Sequence, residues 1–266
     1  VRDFPSRPEA LDALLILGRL YLEEFNDPDS AQILAGKVVE GSPGSARSMR
    51  AASIMVECAL RLNELDQALA LLQEIDTEEP IAYQLRLQRA EIRYYQHDFG
   101  AAADSLQQLL LEDLQEELAN DALALLLLVD AREKSPRPLE VLARAQLLER
   151  QRRVEEAAKQ WRWLQLKAPA SWRPLSLLLQ ANHRIDAGDD RSASTLLDTL
   201  VASFPESPYT LDAQLQLAGI YLRDGQRRRA LKTFETAVLA FPQHARTPEI
   251  RLKIQRLRAE QTRSPG

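Results

Sequence analysis

Apolar residues recur every three or four positions along most of the chain, with polar residues between them. This spacing gives each segment one buried stripe and predicts amphipathic helices, not strands. Prolines and glycine-containing turns interrupt the pattern at short intervals and mark the ends of these helices. The pattern predicts helices in the middle and near the end of the chain at 81–96, 99–113, 117–133, 138–150, 153–167 and 248–261.

A proline near the end of a helical segment recurs five times, with gaps of 37, 89, 36 and 37 residues. The five prolines are Pro43, Pro80, Pro169, Pro205 and Pro242. Each has an alanine twelve residues before it, at Ala31, Ala68, Ala157, Ala193 and Ala230. A small residue lets two helices cross closely, so the spacing indicates a repeated helix pair. The 89-residue gap exceeds two repeats of 37 by 15 residues, which is room for one extra helix.

The fullest copy of the repeat has Leu217, Ala218 and Tyr221, then Gly225, then Ala230, Phe234, Ala237 and Pro242. This pattern resembles the tetratricopeptide repeat (TPR), a helix-turn-helix unit of about 34 residues. The resemblance implies an all-α fold, a right-handed superhelical solenoid in which each helix pair stacks on the next. We expect a single solenoid over 1–266 with about seven helix pairs, irregular at 114–137.

The first residues of the chain suggest a further repeat. Phe4-Pro5 is the same dipeptide that ends the second helix of later copies at Phe204-Pro205 and Phe241-Pro242. We therefore expect the chain to be a fragment of a longer repeat protein.

Composition argues against catalysis. The chain has 266 residues, one cysteine (Cys58) and three histidines far apart in sequence. This excludes an internal disulfide framework and a zinc site built on several cysteines. There is no phosphate loop, dinucleotide fingerprint or nucleophile elbow. We expect no catalytic, metal or cofactor site. The longest apolar run, Ala122–Val129, is too short to span a membrane, because a membrane-spanning helix needs about 20 apolar residues.

Members of the TPR family usually bind other proteins in a concave groove lined by the first helix of each pair. By resemblance, the partner-binding groove here comprises Leu15, Arg19, Leu22, Glu57, Arg61, Gln146, Arg150, Asn182, Leu222 and Arg223, with Leu178, Asp212, Leu215 and Gly219 at matching positions. Leucine mixed with charged groups suits an extended peptide or an amphipathic helix. The carboxylate clamp of chaperone adaptors is absent, because Leu15 with Arg19 and Ser53 with Glu57 stand at its Lys and Asn positions.

Charge is divided unevenly along the chain. Residues 1–133 contain 11 Lys and Arg residues and 25 Asp and Glu residues, which gives a net charge of −14. Residues 134–266 contain 23 Lys and Arg residues and 14 Asp and Glu residues, which gives a net charge of +9. An acidic partner, a phosphate-bearing ligand or self-association could use this asymmetry. Nucleic-acid binding is disfavoured because no stacking aromatics accompany the arginine clusters.

Two functions follow from the repeat. The first is a non-catalytic scaffold that binds a peptide or helix in the concave groove. The second is a structural array that stacks on further repeats or on another copy. The Phe-Pro ends of the last repeats are similar to the bacterial envelope branch of the family, which includes an outer-membrane assembly lipoprotein and the Tol–Pal coordinator. That likeness slightly favours the periplasm or cell envelope over the cytoplasm.

Overall fold

The structure is a computed structural model, and it describes residues 7–72, 80–112, 116–130 and 136–263. These residues form an all-α chain without strands, which confirms the predicted fold class of TPR-like helix pairs. The described helices are α1 (Pro8–Glu23), α2 (Pro28–Gly41), α3 (Ala46–Arg61), α4 (Leu65–Ala70), α5 (Pro80–Tyr95), α6 (Phe99–Leu109), α7 (Glu116–Asp130), α8 (Pro136–Arg150), α9 (Val154–Leu166), α10 (Trp172–Asp186), α11 (Asp190–Ser203), α12 (Thr210–Arg223), α13 (Arg227–Ala240) and α14 (Thr247–Arg263).

The chain divides into two compact units, Val1–Gln160 and Trp161–Gly266, and the division falls within α9. A single solenoid over 1–266 stays a prediction. The predicted helices begin within two residues of the observed ones. The predicted ends at 113 and 133, and the Phe4-Pro5 pair, lie outside the described residues.

The turn between the two helices of a pair contains one residue in the left-handed backbone conformation. It occurs at Asn26, Asn63, His97, Arg152, Gly188 and Gly225, with φ between 50° and 75°. Only glycine adopts this conformation without cost, and asparagine tolerates it better than most residues. The same turn geometry therefore links six helix pairs: α1–α2, α3–α4, α5–α6, α8–α9, α10–α11 and α12–α13.

The predicted alanine contacts are confirmed. Ala31, Ala68, Ala157, Ala193 and Ala230 are all buried, with at most 1% of their surface exposed.

The loops that follow the last two helix pairs share a hydrogen bond. The hydroxyl groups of Thr210 and Thr247 each donate a 2.6 Å hydrogen bond to the carbonyl of the phenylalanine six residues earlier. These bonds satisfy carbonyls that a helix end leaves unpaired.

In unit 1, three helix pairs pack in sequence and α7 then packs against α6 and α5. The second half of this helix, Ala122–Val129, is almost wholly apolar in sequence, which predicts that it is buried. Ala122 and Val129 are buried, but Leu123 and Leu127 are exposed, so the prediction was wrong for that face. Since α7 takes the place beside α6, the next helix, α8, lies across α3 and α5 instead. Leu147 of α8 joins the apolar cluster that contains Leu60 and Leu85.

Unit 2 contains two regular helix pairs, α10–α11 and α12–α13, followed by α14. One apolar core runs through these five helices, from Leu177 of α10 to Ile254 of α14. Consecutive helices pack against one another, and residues of α10, α12 and α14 share one face. Their shared face forms the groove described next.

Candidate protein-binding groove

A groove of about 430 Å³ lies on the face of unit 2 formed by α10, α12 and α14. Its apolar lining comes from leucine side chains, with the Phe234 ring of α13 beneath them. The lining residues are Leu178, Asn182, Asp212, Leu215, Gln216, Gly219, Leu222, Phe234, Arg246 and Lys253. The residues Leu178, Asn182, Asp212, Leu215, Gly219 and Leu222, which the repeat pattern assigned to the partner-binding groove, all line this one. Partner binding by these residues stays a prediction.

One end of the groove is polar. The guanidinium of Arg246 donates a hydrogen bond to the Asp212 carboxylate over 2.8 Å. Lys253 forms a 2.7 Å ion pair with Glu249, one turn earlier on α14, and this hydrogen bond lowers the pKa of Glu249. Both pairs are about half exposed, so they contribute little to stability and remain open to a ligand's charges.

An amide pair crosses the groove between α10 and α12. Gln216 Nε2 donates to Asn182 Oδ1 over 2.7 Å. Gln216 Oε1 is buried and has no hydrogen-bond partner among the described residues. A buried acceptor without a partner costs free energy, and because this oxygen is buried it is closed to a ligand in the groove.

Gly219 leaves an opening in the middle of the lining. It lies inside α12, and a Cβ atom added there would meet only the flexible end of the Arg223 side chain, at 3.9 Å. Neither backbone geometry nor close helix packing therefore requires glycine at this position. A glycine inside a helix costs about 1 kcal/mol relative to alanine, so the opening comes at a cost in helix stability.

Arg223 lies at the end of α12 beside this opening. Its guanidinium makes two hydrogen bonds to the Asp190 carboxylate, at 3.0 and 2.7 Å. The bond from Arg223 lowers the pKa of Asp190. Arg223 thus joins α12 to the start of α11, at the edge of the groove and not within its lining.

The predicted groove residues of unit 1 are in a different environment. Arg150 of α8 forms ion pairs with Glu57 of α3, at 2.6 Å, and with Glu91 of α5, at 3.2 Å. Glu57 also pairs with Arg61 at 3.2 Å. Gln146 of α8 accepts a 2.7 Å hydrogen bond from the Tyr94 hydroxyl. Helix α8 of the chain itself therefore contacts this side of α3 and α5 through Arg150 and Gln146.

The remaining predicted residues lie on α1. Leu15 and Leu22 are buried in the core that α1, α2 and α3 share, so their side chains stabilise the fold. Arg19 is exposed on the helix surface. The pattern correctly assigned these residues to the first helix but does not distinguish core-facing leucines from groove-facing ones.

Gln216, Arg246 and Lys253 line the groove but were missed from sequence. A signal for Arg246 was present, because it follows Asp212 by 34 residues as Arg47 follows Asp12 by 35. In the structure both arginines pair with these aspartates, at 2.8 and 2.7 Å. The pair links the first turns of neighbouring repeats.

No group of three or more His, Cys, Asp or Glu residues in the described part of the chain could hold a metal ion. Cys58 is buried, and burial raises the pKa of its thiol to about 12. A buried, protonated thiol is a poor nucleophile. None of the helices in the described ranges is long and apolar enough to cross a membrane.

Residues 212–244 match the family model for the tetratricopeptide repeat. Among curated proteins, none is similar in sequence to this chain.

Several solved TPR structures are similar to the chain. The TPR domain of P58(IPK) is 17% identical, with a TM-score of 0.39, covering 94% of this chain and 64% of that one. A TPR protein from Parabacteroides merdae is 14% identical, with a TM-score of 0.36, covering 94% of this chain and 99% of that one. The TPR2AB domain of yeast Sti1, in complex with pHSP90, is 13% identical, with a TM-score of 0.39 and coverage of 94% and 98%.

The matched residues 212–244 span α12, its turn and α13, which supply much of the groove. The residues that match the tetratricopeptide-repeat model thus lie within an all-α series of helix pairs.

Proposed function

We propose that this chain is a non-catalytic scaffold that binds a segment of a partner protein in the unit 2 groove. The observation that carries the proposal is the opening at Gly219, flanked by Leu215 and Leu222. An apolar surface with a few fixed polar groups is typical of a peptide site. In unit 1, α8 pairs with Glu57 and Glu91, and Leu15 and Leu22 are buried in the core, so unit 2 is the better candidate for an external ligand.

The lining indicates the kind of segment that fits. Leucines on α10 and α12 favour apolar side chains in the ligand. The opening at Gly219 lets a ligand backbone approach α12 closely. A short peptide with apolar side chains and a backbone that can approach α12 satisfies both features.

A displayed library of random peptides, selected on the full chain, tests this proposal. The key variant is Gly219→Gln, which fills the opening with a side chain that the helix accepts. The matched control is Gly36→Gln on α2, where an added Cβ meets nothing within 4 Å. Fluorescence anisotropy of the selected peptides should show affinity reduced by about tenfold or more for Gly219→Gln and unchanged for Gly36→Gln.

Equal affinity for wild type and Gly219→Gln would show that the selected peptides bind elsewhere. Failure to select any peptide that binds the chain would also contradict the proposal.

Two finer predictions from sequence accompany this proposal. One is that the partner is acidic, which predicts that binding of a selected acidic peptide weakens as salt rises. The other is the bacterial envelope role implied by the Phe-Pro ends of the last repeats.

A further inference from the structure

The polar end of the unit 2 groove contains an arginine whose guanidinium is only partly engaged. Arg246 reaches Asp212 through Nη1 alone, and this guanidinium donates no other hydrogen bond to a described residue. Arg223 and Arg47 hold their aspartates differently, because Nε and Nη2 donate in parallel to the two carboxylate oxygens. The Nε and Nη2 edge, which takes a carboxylate in those two pairs, is therefore open on Arg246.

The charges around this edge favour an anion. Lys253 adds a second cation to the lining, and its ammonium is half exposed and pairs with Glu249, which is not a lining residue. Among the described residues that line the groove, Asp212 is the one carboxylate. Residues 161–266 contain 16 Lys and Arg residues and 10 Asp and Glu residues, which gives unit 2 a net charge of +6. The lining and the unit around it are thus both positive, which attracts an acidic ligand.

We propose that Arg246 binds the side-chain carboxylate of an aspartate or glutamate in the peptide, through its free Nε and Nη2 edge. This proposal rests on the peptide function proposed for the groove and specifies the chemistry that the groove selects. The peptide backbone lies against α12 at Gly219, whereas Arg246 precedes α14, so a side chain that leaves the backbone reaches the guanidinium. The expected ligand therefore combines apolar side chains with an acidic one at the α14 end, where Lys253 strengthens the attraction.

Fluorescence anisotropy of the peptides selected on the full chain tests the proposal. Peptides whose binding Gly219→Gln weakens should contain an aspartate or glutamate, and replacing it by asparagine or glutamine should lower the affinity about three- to tenfold. Arg246→Gln should lower the affinity for the acidic peptide by a similar factor and have little effect on the neutral one. Arg47→Gln removes the equivalent pair with Asp12 in unit 1 and is the matched control, so it should change neither affinity.

Asp212→Asn separates ligand binding from a structural role of the Arg246–Asp212 pair. The change removes a carboxylate that repels the ligand and frees Nη1 of Arg246, so it should raise the affinity for the acidic peptide about two- to fivefold. If the pair only positions α14, Asp212→Asn and Arg246→Gln would both weaken the binding of acidic and neutral peptides alike, which would overturn the proposal. Circular dichroism of each variant establishes that it remains helical.

Two further results would overturn the proposal and leave the groove function standing. One is that peptides dependent on Gly219 lack an acidic residue or tolerate its replacement. The other is that amidation of the peptide C-terminus abolishes binding while replacement of the acidic side chain does not, which would assign the carboxylate to the chain end. Insensitivity to Gly219→Gln would instead contradict the groove function itself, so the two failures are distinguishable.

Discussion

Two glycines of the matched repeat have different roles, and the structure separates them. Gly225 has φ of +71° in the turn between α12 and α13, where a side chain would be strained. Gly219 has ordinary helical geometry inside α12 and open space beside it. Gly225 is needed by the fold, whereas Gly219 only makes room in the groove.

Alanine at each position should therefore have opposite effects. Gly219→Ala should raise the free energy of unfolding by about 0.5–1 kcal/mol through better helix propensity. Gly225→Ala should lower it by about 1 kcal/mol, since a Cβ disfavours the left-handed conformation. Urea denaturation midpoints measure both changes. A loss of stability in Gly219→Ala would show that the fold itself requires this glycine.

At the scale of helices, much of the fold could be predicted because it is local. Proline spacing and the alanine positions indicated the repeat, and helix 153–167 matches α9 at Val154–Leu166 to within one residue. The packing partner of α8 could not be predicted. Apolar spacing shows that a segment forms a helix with a buried stripe but not which neighbour covers that stripe.

The exposed face of α7 was missed for a related reason. Leucines on all sides of this helix leave no period that marks a buried side, so burial depends on how many neighbours reach it.

In the groove, the residues that the repeat pattern itself fixes were predictable. Gln216 and Lys253 were not, since they lie between the positions that the pattern fixes.

The contact of α8 with α3 makes a quantitative prediction. Arg150 and Glu57 are mostly buried and meet at 2.6 Å, whereas the Arg153–Glu156 pair is nearly half exposed at 2.7 Å. A double-mutant cycle with Arg150→Met and Glu57→Gln should give a coupling energy of about 0.5–3 kcal/mol. The same cycle at Arg153 and Glu156 should give about 0.2–0.5 kcal/mol.

Urea denaturation of the single and double variants supplies the coupling energies. Equal values for the two cycles would show that the Arg150 bridge is no stronger than an ordinary surface pair, and that apolar contacts such as those of Leu147 hold α8 in place.

At the scale of the whole molecule, the chain combines an internally occupied face with an open one. In unit 1, α8 lies over α3 and α5 and satisfies their groove residues through Arg150 and Gln146. In unit 2, the surface of α10, α12 and α14 forms a groove that no other described residue fills. The proposed scaffold function depends on that difference.

Photo-crosslinking tests the difference most directly. A peptide selected on the full chain, carrying one photoreactive phenylalanine, is crosslinked and its attachment sites are mapped by mass spectrometry. The account predicts attachment to Leu178, Leu215 or Leu222 in the groove, and much less attachment in Gly219→Gln. Attachment to α3, α5 or α8, or to residues of the second helices that do not line the groove, would contradict it.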